Sequence, residues 1–464
     1  MNKTKKLSRS SVLGYGLGDV ANNFAFAMGS LFLLSYYTDV AGISAAAAGS
    51  MLMLIRVLDA GFDLLAGRLI DRTRTRWGRF RPYLLWGAVP LMFISVLVFS
   101  VPHEWSHANK VIYAYITYGL LGFAYSFVNI PYGSLATVMT QDSKERSRLG
   151  ASRMLLATLT IVFLALVLGP RITGTTVEQQ ATYTEFTLVL AFVGLVLYLV
   201  CFATTKETVE RSEEQVELSQ SLRTVASNGP LLMLCFCALC VLVAAFAMIG
   251  SSMFYARYVL GDPSKFLTIV LATKLFSILV ATPLVPFLVG KIGKKSTFMM
   301  GSAVGAIGYL VLFLSPTSAQ VLTFISFWVG ATGASIALTV LWALEADTVE
   351  YGEWATGVRI EGMTYAVFSF TRKCGQALGG SIPAFLLAGS GYIPNVPVQT
   401  SEVITSIQMA AALIPAGALL LGLVVMAFYP LNDRRFQQIL SEIPGRRVMR
   451  QEQESEKVSE YQPG

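Results

Sequence analysis

The chain has 464 residues, of which 54% are apolar and only 14% are charged. Its mean hydropathy is +0.59. Average soluble chains carry roughly 25% charged residues, so a water-soluble protein of this composition would expose large apolar patches. The composition therefore excludes a soluble enzyme. Because each bilayer crossing needs about 20 apolar residues, the length allows about a dozen crossings and leaves no room for a sizeable domain outside the membrane.

The formal net charge is +7. The basic residues lie between apolar segments rather than along one exposed face, so they indicate membrane orientation and not nucleic-acid binding. The five cysteines all lie inside apolar runs, and their odd number argues against a disulfide framework. We interpret them as packing residues and predict neither a metal centre nor a cofactor. They are Cys201, Cys235, Cys237, Cys240 and Cys374.

Apolar segments long enough to cross a bilayer predict an all-α membrane protein with twelve transmembrane helices. The first is not a cleaved signal peptide, because it is too long and contains Asp19. The segments span roughly 12 to 37, 43 to 70, 84 to 101, 111 to 139, 150 to 170, 184 to 203, 230 to 258, 266 to 290, 297 to 315, 319 to 344, 362 to 389 and 406 to 429.

Lys and Arg are concentrated in alternate loops, which sets the expected orientation. They precede the first segment and follow the second, fourth and eighth, whereas the loops at 38–44 and 315–320 carry almost none. Basic loops stay in the cytoplasm. Both termini are therefore predicted to be cytoplasmic, which agrees with an even number of crossings.

A polar stretch near the middle of the chain separates two sets of six segments. It contains RSEEQVELSQS, which cannot cross a bilayer, and the basic loops RTRTRWGRFRP and GKIGKK lie about half the chain apart. Two six-helix halves with a common plan would give this pattern. We predict a first half at 1–203, a cytoplasmic linker at 204–229, a second half at 230–430 and a cytoplasmic tail at 431–464, the tail being a solvated helix followed by disorder.

Charged residues inside the second segment are the first candidates for a functional site. Asp59 and Asp63 are four residues apart and share one helical face, with Arg56 one turn earlier. A charge at the bilayer centre costs at least about 2.5 to 3.5 kcal/mol, so such residues are usually functional. Two carboxylates in this arrangement can coordinate a small cation or hold a proton. The alternative is an ion pair with Arg56 that only fixes helix packing.

Positive charges inside other segments suggest partners for these acids. Arg372 and Lys373 lie deep in the eleventh segment, and because neighbouring residues on a helix are about 100° apart, only one can point at the centre of a cavity. Lys274 has no evident partner, and a structural role for it is as plausible as a functional one. Arg257 is expected to snorkel to the membrane surface. Arg153, early in the fifth segment, can reach either cytosol or cavity.

Five motifs then connect the chain with a known family. They are GYGLGDVANNFAFAMGSLFLLSYYTDVAG, RVLDAGFDLLAGRLIDRTRTRWGRFRP, VNIPYGSLATVMTQ, LEADTVEYGEWATGVRIEG and FTRKCGQALGGSIPAF. In order and spacing they resemble the glycoside, pentoside and hexuronide cation symporters from about Gly14 to Pro430. The resemblance implies a major facilitator fold in a bacterial inner membrane, a coupling cation at Asp59 and Asp63 with Lys373 nearby, and sugar binding by Arg153.

Two departures from the family pattern bear on the substrate. The melibiose permease branch, which takes neutral galactosides, has acids that bind sugar where this chain has Asn23 and Asn129. A substrate carboxylate would be repelled by such acids, by roughly 4 kcal/mol at 4 Å and an effective dielectric of 20. Asn23 and Asn129 are therefore predicted to bind substrate, unless they are only packing residues. With Arg153, Arg372 and Lys373 as positive partners, an anionic sugar is expected.

The sequence predicts a secondary transporter that imports a β-glucuronide by cation symport with alternating access, and no enzymatic activity. The coupling cation is expected to be a proton, and sodium at Asp59 and Asp63 is the alternative. The alternative substrate is a neutral glycoside or pentoside. A magnesium-dependent transferase would need several acids converging on phosphate oxygens, and a sensor would need an output domain. The expected partners are a small-molecule substrate and the lipid bilayer, without nucleic acid.

Overall fold

The chain is built from long helices. A computed structural model describes residues 6–140, 143–172, 176–208, 227–357, 361–443 and 445–446. Within these residues, ten helices are long and apolar enough to cross a membrane. The longest, Lys265–Leu314, is interrupted at Gly293, whose φ of 80° is not helical, so it contains two of the predicted crossings. Helix Glu361–Gly389 is also long enough at 29 residues, although it contains adjacent Arg and Lys. The all-α class is confirmed, and the helices are consistent with twelve crossings.

The membrane helices are numbered in chain order. They are α1 Arg9–Val40, α2 Ala45–Arg72, α3 Arg81–Val98, α4 His107–Met139, α5 Ser143–Leu168, α6 Thr176–Thr204, α7 Gly229–Val259, α8 265–292, α9 294–314, α10 Gln320–Thr356, α11 Glu361–Gly389 and α12 Ser401–Ala427. A shorter helix, α13, covers 433–443. We call the side of the bundle where α1 begins the terminal side, and the side where α1 ends the distal side.

Short polar side chains fix where several of these helices begin. Ser8, Ser44, Ser106, Asn228 and Thr400 stand directly before α1, α2, α4, α7 and α12, and each accepts a hydrogen bond from the backbone N–H three residues later. Such a cap satisfies one of the N–H groups that a helix leaves open at its start and contributes about 1 kcal/mol. The apolar runs therefore start as helices at defined residues.

A loop contact recurs in the two halves. After α6, the Glu207 carboxylate accepts hydrogen bonds of 2.8 to 3.0 Å from the three backbone N–H groups of residues 79–81. A Cβ at Gly78 would overlap this carboxylate. At the start of α13, Asp433 likewise lies against Gly293, in the corresponding loop of the second half. The recurrence fits two halves with one plan, whose boundaries remain a prediction.

The tail differs from the expected solvated helix. Ile439 and Ile443 on α13 are buried, and the indole N–H of Trp354 donates to the Glu442 carboxylate at 2.7 Å. Helix α13 is thus amphipathic and docks on the end of α10, which continues about three turns beyond its predicted end. Residues 209–226 of the predicted linker and 447–464 of the tail lie outside the described residues.

Among the described residues, three helix pairs make the main contacts between the halves. Helix α2 packs against α11, α1 against α7, and α5 against α8. Phe26 of α1 meets the edge of Phe246 of α7 with 6.3 Å between ring centroids. Phe32 of α1 contacts Phe266 of α8 in the same way at 5.4 Å. These contacts enclose the mid-depth region where the charged residues of α1, α2 and α11 lie.

Candidate cation and substrate site

Asp59 lies on α2 at a close approach to α4. It is 7% exposed, and its Oδ1 has no hydrogen-bond partner within the described part of the chain. Its Oδ2 is 3.8 Å from Nη1 of Arg56, a long contact for an ion pair. Gly122 on α4 permits this position, because a Cβ there would lie 2.0 Å from Asp59 Oδ1. A buried carboxylate oxygen without a donor is destabilising unless a ligand satisfies it.

Two adjoining cavities lie near this carboxylate, and the first of them is lined by it. One lies between α1, α2 and α4 and is lined by Asp59 together with Phe26 and Gly122. The other extends between the two halves to Phe246 and Gln376. Both cavities are lined by three shared residues, namely Gly29, Arg56 and Tyr118. The Arg56 guanidinium also lies over the Phe26 ring at 4.7 Å. A small cation therefore has space beside Asp59 at the boundary between the halves.

Asp63 and Lys373 form an ion pair that joins α2 to α11. Lys373 Nζ also donates to the backbone carbonyl of Asp59 at 3.3 Å. The side chains of Lys373 and Asp63 are 25% and 26% exposed, so the pair is only partly buried. The three residues that the sequence singled out for the cation site are thus neighbours. Lys373 is the residue of the pair 372/373 that faces α2.

Arg153 and Asn23 both contact an acid that was not among the predicted site residues. Arg153 Nε donates to Asp19 Oδ1 at 2.8 Å. Asn23 Nδ2 donates to Asp19 Oδ2 at 3.2 Å and to its backbone carbonyl at 2.8 Å. Asp19 is 5% exposed. An acid therefore lies on α1 one turn before Asn23 and is paired with Arg153.

Arg372 points in another direction from Lys373. Its guanidinium lies over the Trp342 ring of α10 at 4.3 Å, and its Nε is buried without a hydrogen-bond partner among the described residues. The positive charge of Arg153, from the opposite half, is close enough to act on it. Asn129, on α4, is partly exposed and makes no side-chain hydrogen bond within the described residues.

A second network joins the halves on the distal side. Asp39, at the end of α1, is 4% exposed. Its Oδ2 accepts from Arg257 Nη1 at 2.9 Å, and its Oδ1 accepts from Tyr392 OH and Thr38 Oγ1, both at 2.7 Å. Asn395 Nδ2 donates to the backbone carbonyl of Asp39 at 2.5 Å. The expectation that Arg257 snorkels is wrong, because its guanidinium turns inward to a buried acid.

Lys274 remains without an explanation. It lies in a π-helical turn, Leu271–Phe276, within α8. Among the described residues the structure gives it no acidic partner. No signal in the sequence pointed to the distal network either, since Arg257 and Tyr392 lie 218 and 353 residues from Asp39 along the chain.

Comparison with known proteins adds the family. The MFS/sugar transport protein family matches residues 14–433. The chain belongs to this family. As a member of the MFS/sugar transport proteins, it is a membrane transporter and not an enzyme, and its helices make it a multi-pass membrane protein.

Its relatives within the family include symporters. A protein of Escherichia coli (strain K12) described as "Glucuronide carrier protein homolog" is 54% identical over 97% of this chain and 98% of its own length. The "Putative glycoside/cation symporter YagG" of the same strain is 33% identical over 94% of both chains. These relatives support cation-coupled transport of a sugar-type substrate.

Solved structures agree on the fold alone. A bacterial homologue of the human lysosomal transporter Spinster superposes with a TM-score of 0.64 at 13% identity, covering 93% of this chain and 97% of that one.

Proposed function

We propose that the protein imports β-glucuronides together with a proton, by alternating access between its two halves. One observation carries this proposal. A buried carboxylate, Asp59, lies at the boundary of the halves with one oxygen unsatisfied and a cavity beside it. A proton or a small cation satisfies that oxygen, and it does so at the point where movement of the halves changes the surroundings.

The coupling step follows from the neighbouring ion pair. Asp63 and Lys373 attract each other across the halves, and at an effective dielectric of 20 two unit charges at 4 Å attract by about 4 kcal/mol. Protonation of Asp63, or a cation shared by Asp59 and Asp63, removes most of this attraction. The bound cation therefore has different affinities for the joined and separated arrangements of α2 and α11, which coupling requires.

Positive side chains from both halves favour an anionic sugar. Arg153 of the first half and Arg372 of the second carry like charge and repel each other, and Arg372 has no ion-pair partner among the described residues. A carboxylate between them relieves that repulsion and can accept two parallel hydrogen bonds from one guanidinium. We propose Arg153, Arg372 and Lys373 as the positive partners of the substrate, and Asn23 and Asn129 as hydrogen-bonding groups for its hydroxyls.

We place the chain in the bacterial inner membrane with both termini in the cytoplasm. The distal side then faces outward. The network at Asp39 ties α1 to α7 on that side, so the arrangement described is closed to the outside. Substrate and cation enter when this network opens, and leave to the cytoplasm in the present arrangement.

Uptake into inverted or right-side-out vesicles tests the proposal. A labelled phenyl β-glucuronide is expected to accumulate under an imposed pH gradient, and the double variant Asp59→Asn, Asp63→Asn is expected to lose accumulation while retaining exchange of internal for external substrate. Retained exchange shows that the variant is folded and binds sugar. Accumulation driven by a sodium gradient alone would identify sodium, instead of a proton, as the coupling cation. Competition by uncharged glycosides, without competition by glucuronides, would contradict the proposal that the substrate is a glucuronide.

A further inference from the structure

We infer that Asp19 is a positioning residue for substrate recognition: it holds one edge of the Arg153 guanidinium so that the other edge receives the substrate's carboxylate. This inference rests on the proposed function and adds a residue to it. Asp19 lies on α1, one turn before Asn23, and Arg153 lies on α5. The contact between them thus ties two helices of the first half.

Both oxygens of the Asp19 carboxylate accept hydrogen bonds from neighbouring side chains. Oδ1 accepts from Arg153 Nε at 2.8 Å and Oδ2 accepts from Asn23 Nδ2 at 3.2 Å. Its side chain is 7% exposed. Because it is buried and satisfied by neighbours of its own half, the carboxylate has little freedom to move. It therefore fixes the position of the atom that it binds.

An aromatic pair fixes the plane of the guanidinium. Arg153 lies over the Tyr132 ring at 5.1 Å. Tyr132 in turn stacks on Tyr15, with 4.7 Å between centroids and 13° between planes, and its hydroxyl donates to the Tyr15 carbonyl at 2.6 Å. Both rings are buried. A cation over such a rigid ring is attracted to its face, so Arg153 is restrained in orientation as well as in position.

The opposite edge of the guanidinium has room for a ligand. Among the described residues Arg153 donates to Asp19 through Nε and the Tyr15 hydroxyl lies beside the guanidinium, yet the Arg153 side chain is still 36% exposed. Gly133 adds to the space, since even a Cβ there would come no closer than 4.0 Å to Nη1. A guanidinium has five N–H donors, and the edge formed by Nη1 and Nη2 matches the two oxygens of a carboxylate. The geometry presents this edge to an anionic ligand.

The opposite idea, that Asp19 occupies Arg153 and is displaced by substrate, is less favourable. Displacement would leave Asp19 buried with only Asn23 as a donor. Removing one partner of a buried ion pair is strongly destabilising, because it leaves an uncompensated charge. Binding at the free edge avoids that cost, since the contact between Asp19 and Arg153 stays intact while the substrate is held.

The test compares a charged and an uncharged sugar that share one aglycone. Binding of phenyl β-glucuronide and phenyl β-glucoside is measured on the purified full chain for Asp19→Ala, Asp19→Asn and the control Asn22→Ala. Asn22 is a buried residue of the same helix that accepts from Tyr198 OH and does not contact Arg153. We expect Asp19→Ala to weaken glucuronide binding at least about tenfold and glucoside binding less than about twofold.

Asp19→Asn keeps an oxygen that accepts from Nε, so it is expected to retain more glucuronide binding than Asp19→Ala. Gly133→Val places a side chain near Nη1 of Arg153 and leaves Asp19 intact. It is also expected to weaken binding of the glucuronide more than binding of the glucoside. This variant also carries the test if the Asp19 variants do not fold. Equal losses for both sugars would assign Asp19 a merely structural role, and tighter glucuronide binding would make it a competitor. Either result overturns the inference.

The proposed function can fail separately. A wild-type protein that binds no glucuronide would overturn the proposed function together with this inference. A wild-type protein that binds glucuronide, with Asp19 and Gly133 variants that bind both sugars as well as it does, would overturn this inference alone.

Discussion

Among the described residues, two charged networks that join the halves of the transporter differ in how fully their buried carboxylates are satisfied. On the distal side, both carboxylate oxygens of Asp39 and its backbone carbonyl accept hydrogen bonds of 2.5 to 2.9 Å. At mid-depth, Asp59 has one oxygen without a partner and the other 3.8 Å from Arg56. The two acids are almost equally buried, at 4% and 7% exposure.

We interpret this difference as one of role: the Asp39 network holds the halves in one arrangement, whereas the surroundings of Asp59 form a binding site. A fully satisfied buried network favours one arrangement, because every alternative breaks several of its hydrogen bonds. A partly satisfied carboxylate gains free energy whenever a cation or a proton reaches it. We therefore expect changes at Asp39 to alter the balance between conformations, and changes around Asp59 to alter cation coupling.

The largest effect is expected from Gly122→Ala, which changes the mid-depth network without removing any charge. The added Cβ would lie 2.0 Å from Asp59 Oδ1, so the carboxylate has to rotate away from its position beside the cavity. We expect the cation concentration that half-activates uptake to rise about 100-fold. The measurement is the cation dependence of glucuronide uptake into vesicles.

Gly119→Ala is the matched control for this variant. It lies one turn earlier on the same helix, where a Cβ would meet only Ile55 Cδ1 at an ordinary 3.4 Å. Cation dependence close to that of the unmodified protein is expected. If both variants behaved alike, the close approach of α4 to Asp59 would have no part in coupling.

Asp39→Asn should break the distal network and is expected to have the next largest effect. The amide keeps the shape of the side chain but leaves Arg257 without its counter-charge. Because coupling free energies of this kind are about 1–3 kcal/mol, we expect an approximately tenfold shift toward distal opening. A cysteine introduced at Ser30, which lines the cavity between the halves, reports the shift through its labelling rate with a membrane-impermeant thiol reagent added on the distal side.

The control removes a different carboxylate from the same side. Asp262 lies in the loop between α7 and α8, is partly exposed, and accepts from the hydroxyl and backbone N–H of Ser264. Hydrogen bonds from Ser264 lower the pKa of Asp262, so it is charged at neutral pH and Asp262→Asn removes a real charge. Unchanged labelling of Ser30→Cys is expected. Equal acceleration by both variants would mean that surface charge, and not the Asp39 network, sets the equilibrium.

The sequence predicted the mid-depth network from local spacing and from family motifs. Asp59 and Asp63 share a helix face by their spacing, and the resemblance to the symporter family implied that Lys373 lies near them. Their contact with Lys373 follows once α2 packs against α11. The unsatisfied oxygen of Asp59 was not predictable, because it depends on how closely Gly122 allows α4 to approach.

The distal network left no such signal. Asp39 lay in the predicted loop after the first crossing, and Arg257 near a helix end fitted the pattern of a snorkelling residue. Their pairing depends on tertiary packing across 218 residues. The same limit explains Asp19, since a single acid in an apolar segment does not reveal that Arg153 is its partner. The fold was easier to predict, because hydropathy defines each crossing independently. Helix ends were less certain, because a helix such as α10 can continue beyond its apolar part.

The smallest effect is expected from Tyr392→Phe, which removes one hydrogen bond from the distal network and keeps its ion pair. The Tyr392 hydroxyl donates to Asp39 Oδ1 at 2.7 Å. A hydrogen bond contributes a net free energy of about 0.5–1.5 kcal/mol, so distal labelling of Ser30→Cys should accelerate by about threefold. Tyr258→Phe is the control, because Tyr258 contacts the Tyr392 hydroxyl at 2.9 Å without touching Asp39. Its effect should be smaller.

The response to pH shows whether this hydrogen bond persists near neutral pH or is lost because the Tyr392 phenol deprotonates. Burial, followed by the neighbouring Asp39 carboxylate, raises the pKa of Tyr392. Its folded pKa lies above its unfolded value, so the protonated donor is favoured and is lost only when the pH rises beyond the ordinary range of a phenol. The threefold acceleration in Tyr392→Phe should therefore be equal at about pH 6 and about pH 8. An acceleration seen only at the lower pH would show that the phenol had already lost its proton at the higher pH. The connection between Asp39 and the second half would then depend on Arg257 alone.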